Sequence, residues 1–213
     1  MHIEIWSDVI CPWCYIGKRR FELALADFEH RDEVQVTWRS FELDIYAPPE
    51  HEGTLLERLA RKYDVSLQQA AEMDDRVTQI AKEVGLDYRL ADARSGNTFD
   101  AHRLLHFAVS RQLYDRAAER IMNAYFSEVL PVGDRTALAR LAPEFGIPEQ
   151  DALEMLESTA YADAVRADEG RAADFGILGV PYFVFDEQSG ISGAQPVAVF
   201  AATLEQVWAA DRL

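Results

Sequence analysis

Only two cysteines, Cys11 and Cys14, occur among the 213 residues. A chain of this length buries enough apolar surface to fold without covalent staples, so the pair is not needed to hold the fold together. Positive charge is also scarce. Twenty-one Lys and Arg stand against 37 Asp and Glu, a formal net charge of -16. Such a field repels a phosphate backbone, which excludes nucleic acid as a partner. The densest basic run, Lys18-Arg19-Arg20, is too short for a phosphate footprint and reads as a solvated helix face. No window has the apolar length of a membrane span, so no membrane association is expected. The opening residues, Met1-His2-Ile3-Glu4-Ile5-Trp6-Ser7-Asp8, lack a basic stretch followed by an apolar core, and a secretory leader is not expected. The expected location is cytoplasmic, where thiols stay mostly reduced. Metal ligands are few: five His and no second Cys pair leave a zinc site without its ligand set. His102 and His106 read as one helix face, and no metal is expected. What remains is 49% hydrophobic and 27% charged, the balance of a globular protein.

The hydrophobic pattern divides the chain. Residues 2–6 alternate and read as a short strand. Residues 12–28 place Trp13, Ile16, Phe21, Leu25 and Phe28 at helical spacing, with Pro12 suited to the first turn. Residues 34–43 read as a second strand, and a strand–helix–strand unit opens an α/β fold. Ala47-Pro48-Pro49-Glu50-His51-Glu52-Gly53 is a linker by composition. From 54 to 175 the pattern is almost wholly helical. Thr54 and Ser66 suit N-caps, the second with Gln69 as in a capping box. Strand character returns over 181–185, a turn follows at 186–190, and a short strand covers 191–192. A last helix runs through Phe200, Leu204, Val207 and Trp208. The expected domains are therefore 1–48 with 176–213, and an all-helical insertion over 49–175. Trp6, Trp38 and Phe41 read as core, Trp13 as partly exposed. The sequence does not set the oligomeric state.

A Cys-x-x-Cys pair between a strand and a helix has a chemical logic. The unpaired N–H groups of a helix N-terminus favour a thiolate over a thiol, and such motifs supply a nucleophile at neutral pH. The first cysteine lies at the cap, open to substrate, and the second sits a turn inside. Cys11 is the expected nucleophile and Cys14 the resolving thiol, with Pro12 and Trp13 between them. Asp8, three residues before Cys11, reads as a cap for the turn into the helix, with proton transfer as the other role open to it. Val180-Pro181 precedes the later strand. A cis bond there would expose the Val180 backbone to a peptide substrate.

Cys11-Pro12-Trp13-Cys14-Tyr15-Ile16-Gly17, Asn97-Thr98-Phe99-Asp100-Ala101-His102-Arg103, Gly179-Val180-Pro181 and Ile191-Ser192-Gly193-Ala194-Gln195 together resemble the DsbA-like thioredoxin-fold family. The resemblance is to its FrnE-type branch, in a superfamily shared with 2-hydroxychromene-2-carboxylate isomerases and kappa-class glutathione transferases. It implies a thioredoxin-like fold interrupted by a large all-helical insertion domain, with Cys11 and Cys14 as the redox pair and Pro181 as a cis-proline. The implied activity is dithiol–disulfide exchange on protein or small-molecule thiols and disulfides. No cofactor is implied as required, and glutathione is the co-substrate the resemblance admits. Asn97, Phe99 and His102 match the helical-domain segment that faces the active site in these relatives, and are expected in the substrate cleft. The reading of the residues alone is that Asn97 or Thr98 caps a helix with an apolar face behind it. Two rival functions share the fold. One is a glutathione-dependent isomerase or transferase, although those enzymes typically carry serine at the position of Cys11. The other is a redox-switched binding protein or chaperone.

Overall fold

The computed structural model describes residues 1–210, so the last three residues of the expected 176–213 segment lie outside the described residues. Two compact units emerge: Met1–Leu43 with the chain from Asp168 onward, and Asp44–Ala167.

The first unit is built on β1 (His2–Ser7), buried at every residue except its first. Both of its faces are buried, and the polar Glu4 on one of them is paired with Arg39 and Arg171. β1 runs parallel to β2 (Gln35–Ser40), with Ile5 opposite Trp38. It runs antiparallel to β3 (Tyr182–Phe185), with Ile5 opposite Phe183. β4 (Ser189–Ser192) completes the sheet in the order β2-β1-β3-β4. Helix α1 (Pro12–Ala26) makes the crossover between β1 and β2. Its Phe21 joins Ile3, Ile5, Phe183, Phe185, Phe200 and Leu204 in one core, the last two supplied by the final helix of the fold. Side chains alternate across a strand, so Trp6 and Val184 face the other way, into a second cluster with Ala172 and Ile177.

Two local expectations are corrected. The second strand stops at Ser40 rather than 43, because its ladder gives way to side-chain acceptors. Ser40 N–H donates to Asp168 Oδ2 at 2.9 Å and Leu43 N–H to Asp8 Oδ2 at 2.8 Å. The hairpin turn is also tighter than 186–190. Asp186 and Glu187 take φ of 47° and 58°, Gln188 N–H closes on Phe185 O at 3.0 Å, and Phe185 pairs with Ser189 across the loop. Gly190 is thus a strand residue. A Cβ there would lie 2.5 Å from the Tyr182 hydroxyl, and glycine leaves that ring its place.

The second unit holds α2 (Leu55–Tyr63), α3 (Leu67–Glu83), α4 (Phe99–Val109), α5 (Tyr114–Glu128), α6 (Arg135–Leu141) and α7 (Glu149–Glu157). Thr54 with Glu57 and Ser66 with Gln69 form reciprocal capping boxes on α2 and α3. Leu104, Ile121, Phe126, Phe145 and Leu156 are among its fully buried side chains. The unit ends inside α8 (Ala162–Asp174), at 167 rather than the expected 175. The last turns of α8 belong to the sheet instead. Trp6 Nε1 donates to Asp168 O at 2.9 Å, and Arg171 Nη2 donates to Glu4 Oε2 at 2.5 Å. The other boundary falls at 43/44 rather than 48/49, since the Leu43 amide is bound to Asp8. The last helix, α9 (Val197–Ala210), lies after β4. Among the described residues no helix is long and apolar enough to cross a membrane.

Candidate active site

The chain leaves β1 at Ser7, and Cys11 N–H donates to Asp8 O at 3.1 Å to close the turn into α1. Cys11 is the N-cap, with φ -83° and ψ 113°, and Pro12 occupies the first helical position. A proline costs nothing there, since its missing N–H would have had no helical partner. Cys14 follows one turn on, its N–H donating to Cys11 O at 3.0 Å. Both thiols are free.

The cap is more enclosed than the sequence suggests. Cys11 is only 5% exposed, while Trp13 beside it is 38% exposed. The enclosure comes from the segment before β3. Cys11 Sγ donates to Val180 O at 3.6 Å, the Val180–Pro181 bond is cis, and Gly193 N–H donates to Pro181 O at 2.8 Å. Leu178, two residues upstream of Val180, is almost entirely exposed. The sequence-predicted residues Cys11, Pro12, Trp13, Cys14, Val180 and Pro181 therefore gather around one helix N-terminus.

The two sulfurs sit in different surroundings. Cys14 is buried, and burial, with the adjoining Cys11 thiol, pushes its thiol well above the usual range; the Asp8 amide and the Ser7 hydroxyl act in the opposite sense. The Asp8 N–H donates to Cys14 Sγ at 3.4 Å. The Asp8 side chain reaches across to the chain after β2. Its Oδ2 accepts from Leu43 N–H and ties the end of β1 to the chain beyond β2.

Lys18-Arg19-Arg20 is not a solvated face. Lys18 is 3% exposed and pairs with Glu22 at 2.6 Å. Arg19 also reaches Glu22, at 3.1 Å, and Arg20 Nη1 donates to Ala194 O at 2.7 Å. Lys18 lies four residues beyond Cys14, on the same inward face of the helix, where a neighbouring carboxylate meets its charge.

Asn97, Phe99 and His102 belong to the second unit. Asn97 Oδ1 accepts from Phe99 N–H at 3.0 Å, just ahead of α4, whose N-cap is Thr98. Phe99 is half-buried, with the Arg166 guanidinium 4.4 Å above its ring. His102 is buried. Their neighbour Arg103 is 1% exposed and donates to the carbonyls of Met155, Leu156, Ser158 and Ala160. It satisfies the end of α7, where helical carbonyls lose their own partners.

Sequence reasoning missed Ser7, the Asp8 amide and Gly17. Only Gly17 left a signal, its place in the run after Cys14. Among the described residues no three His, Cys, Asp or Glu side chains are grouped to hold a metal ion.

The crystal structure of a probable DsbA oxidoreductase from Streptomyces coelicolor superposes with a TM-score of 0.94 at 44% identity, covering 98% of this chain and 90% of that one. A 2-hydroxychromene-2-carboxylate isomerase shares the fold at TM-score 0.74 and 12% identity, over 100% and 98% of the two chains. So does the cytosolic disulfide reductase DsbM from Pseudomonas aeruginosa, solved with glutathione, at 0.65 and 16% over 97% and 98%. The sequence from residue 2 to 205 matches the DSBA-like thioredoxin domain. At family level this is a thiol–disulfide oxidoreductase fold whose members need no cofactor. The chain belongs to the DsbA-like thioredoxin domain family.

Proposed function

We propose that this protein is a disulfide oxidoreductase of the FrnE-type branch, working in the cytoplasm by exchange through Cys11 and Cys14. One observation carries the proposal. The Cys11 sulfur lies at a helix N-terminus within 3.6 Å of Val180 O, with a second free thiol one turn behind it.

In the reducing direction, Cys11 as thiolate attacks one sulfur of a substrate disulfide. The substrate S–S bond breaks, and the departing thiolate takes a proton from water. Cys14 then loses its proton and attacks the Cys11 sulfur of the mixed disulfide. A Cys11–Cys14 bond forms and the second substrate thiolate leaves, to be protonated in turn. Two electrons pass from the pair to the substrate, and the reverse order oxidises a substrate dithiol. Trp13 and the Val180 backbone flank the incoming sulfur, and Pro12 shapes the turn between the thiols. A glutathione complex of the similarly folded reductase makes glutathione the first small thiol to test. Cysteine at position 11 favours exchange over the isomerase chemistry of the superfamily.

Cys14→Ser should accumulate mixed disulfides joined through Cys11. Full exchange activity in Cys11→Ser would overturn the assignment. Cell fractionation checks the compartment.

A further inference from the structure

Ser7 ends β1 and is 4% exposed. Its backbone is committed, since its carbonyl accepts from Phe41 N–H at 3.2 Å. Its hydroxyl oxygen is buried without a hydrogen-bond partner among the described residues. A buried polar group in that position gives up its hydration without return, and its persistence calls for a reason. The reacting group it acts on is the Cys14 sulfur, which the Asp8 N–H also reaches at 3.4 Å. A neutral thiol sulfur is a weak acceptor and returns little to a hydroxyl donor. A thiolate returns a charge-assisted bond, roughly twice as strong as a neutral one. The hydroxyl is therefore poorly satisfied in the dithiol state and well satisfied once Cys14 is charged.

We infer that the Ser7 hydroxyl and the Asp8 amide form a two-donor cradle for the Cys14 thiolate, and that Ser7 drives the second half of the exchange. The inference rests on the redox role proposed above. Cys14 must ionise inside the protein, against burial, after Cys11 has bonded to the substrate sulfur. Its proton leaves to water, its electron pair forms the Cys11–Cys14 bond, and the substrate sulfur departs with the pair from the broken bond. The Asp8 N–H, already bonded to the Cys14 sulfur, and the unpartnered Ser7 hydroxyl beside it stabilise that charge as it forms.

The test uses the full-length protein with glutathione disulfide, following formation and loss of the Cys11–glutathione adduct by acid quench and mass spectrometry. Ser7→Ala should form the adduct at the wild-type rate and release it at least about tenfold more slowly, the size of one hydrogen bond to a charged group. The pH profile of release should move to higher pH. Ser7→Thr, which restores the hydroxyl, should recover most of the loss, and Ser7→Gly, the second variant without a hydroxyl, should behave as Ser7→Ala. Release at the wild-type rate in Ser7→Ala or Ser7→Gly would overturn the inference, as would an equal slowing of both halves. Failure of the underlying redox proposal looks different: Cys14→Ser would then hold no glutathione at Cys11.

Discussion

Gly17 and Pro181 approach so closely that a Cβ on Gly17 would stand 3.0 Å from Pro181 Cγ, with Ala194 Cα and Cβ both at 3.5 Å. Gly17 lies three residues past Cys14, one helical turn along α1. The bare backbone there lets α1 lie against the segment that presents the Val180 carbonyl. Helix and loop are thereby held together where Cys11 Sγ meets Val180 O at 3.6 Å.

Gly17→Ala therefore sets two effects against each other. Alanine in a helix gains about 1 kcal/mol over glycine, while overpacking at a tight contact loses about 1–3 kcal/mol. The net change in a urea melt should be small, within about 1 to 2 kcal/mol. The rate of disulfide exchange should fall clearly, because the strain is relieved by moving Pro181 away from the thiols. An unchanged rate would mean that this contact does not set the site.

The elements legible in the sequence are those written in short-range pattern. The alternation of β1, the helical spacing of α1, the N-cap at Thr54 and the capping box at Ser66 each depend on neighbours within a turn or two. Cys11 and Cys14 were legible for the same reason, being three residues apart. What escaped depends on long-range pairing. Asp168 binds Ser40, 128 residues away, and so ends β2 early. Lys18 looked solvated because nothing local reveals which face of α1 turns inward. Asn97 could be read as a cap or as a cleft residue, and its Oδ1 bond to the Phe99 amide is a local contact compatible with both. Ser7 carries no motif, since its meaning depends on where Cys14 returns after the turn.

Arg103 tests how the helical unit is held. Its guanidinium reaches Asp100 Oδ1 at 2.6 Å as well as carbonyls at the end of α7 and just after it. Removing one member of a buried, fully bonded charge set is strongly destabilising, about 3–5 kcal/mol. Arg103→Ala should show that loss in urea denaturation. Arg103→Lys should recover little, because an ammonium cannot reproduce the planar fork of donors. A lysine variant as stable as wild type would show that charge alone, not geometry, is needed.

Glu4 makes an acid-sensitive joint in the sheet unit. Burial raises its carboxyl, but the bonds from Arg171 and Arg39 outweigh burial and hold it below its usual 4.5. A carboxylate whose folded pKa is depressed contributes stability above the unfolded value, and that contribution is lost as pH falls through the folded one. Stability should thus decline below about pH 4.5. Glu4→Gln should flatten part of that decline and lower stability at neutral pH by on the order of 2 kcal/mol, leaving two guanidiniums short of a partner. Equal acid slopes in the two proteins would assign the decline to other carboxylates.

Asp74 should behave in the opposite sense. It is 8% exposed on α3, and burial, then the charge of Asp75, pushes its carboxyl from 3.8 up to about 6. The folded protein holds this proton more tightly than the unfolded chain. The associated stability is complete below the unfolded value and is lost as pH rises through the folded one. Between about pH 4 and pH 6 the Asp74 contribution therefore falls, and at neutral pH a buried carboxylate remains charged at a net cost. Asp74→Asn keeps the shape and removes the charge. Its urea midpoint should exceed that of wild type at about pH 7, by on the order of 2 kcal/mol in free energy. The advantage should shrink toward zero at about pH 4, where wild-type Asp74 is itself protonated. A stabilisation of the same size at both pH values would mean that the side-chain amide adds a hydrogen bond, and that burial of charge is not the cause.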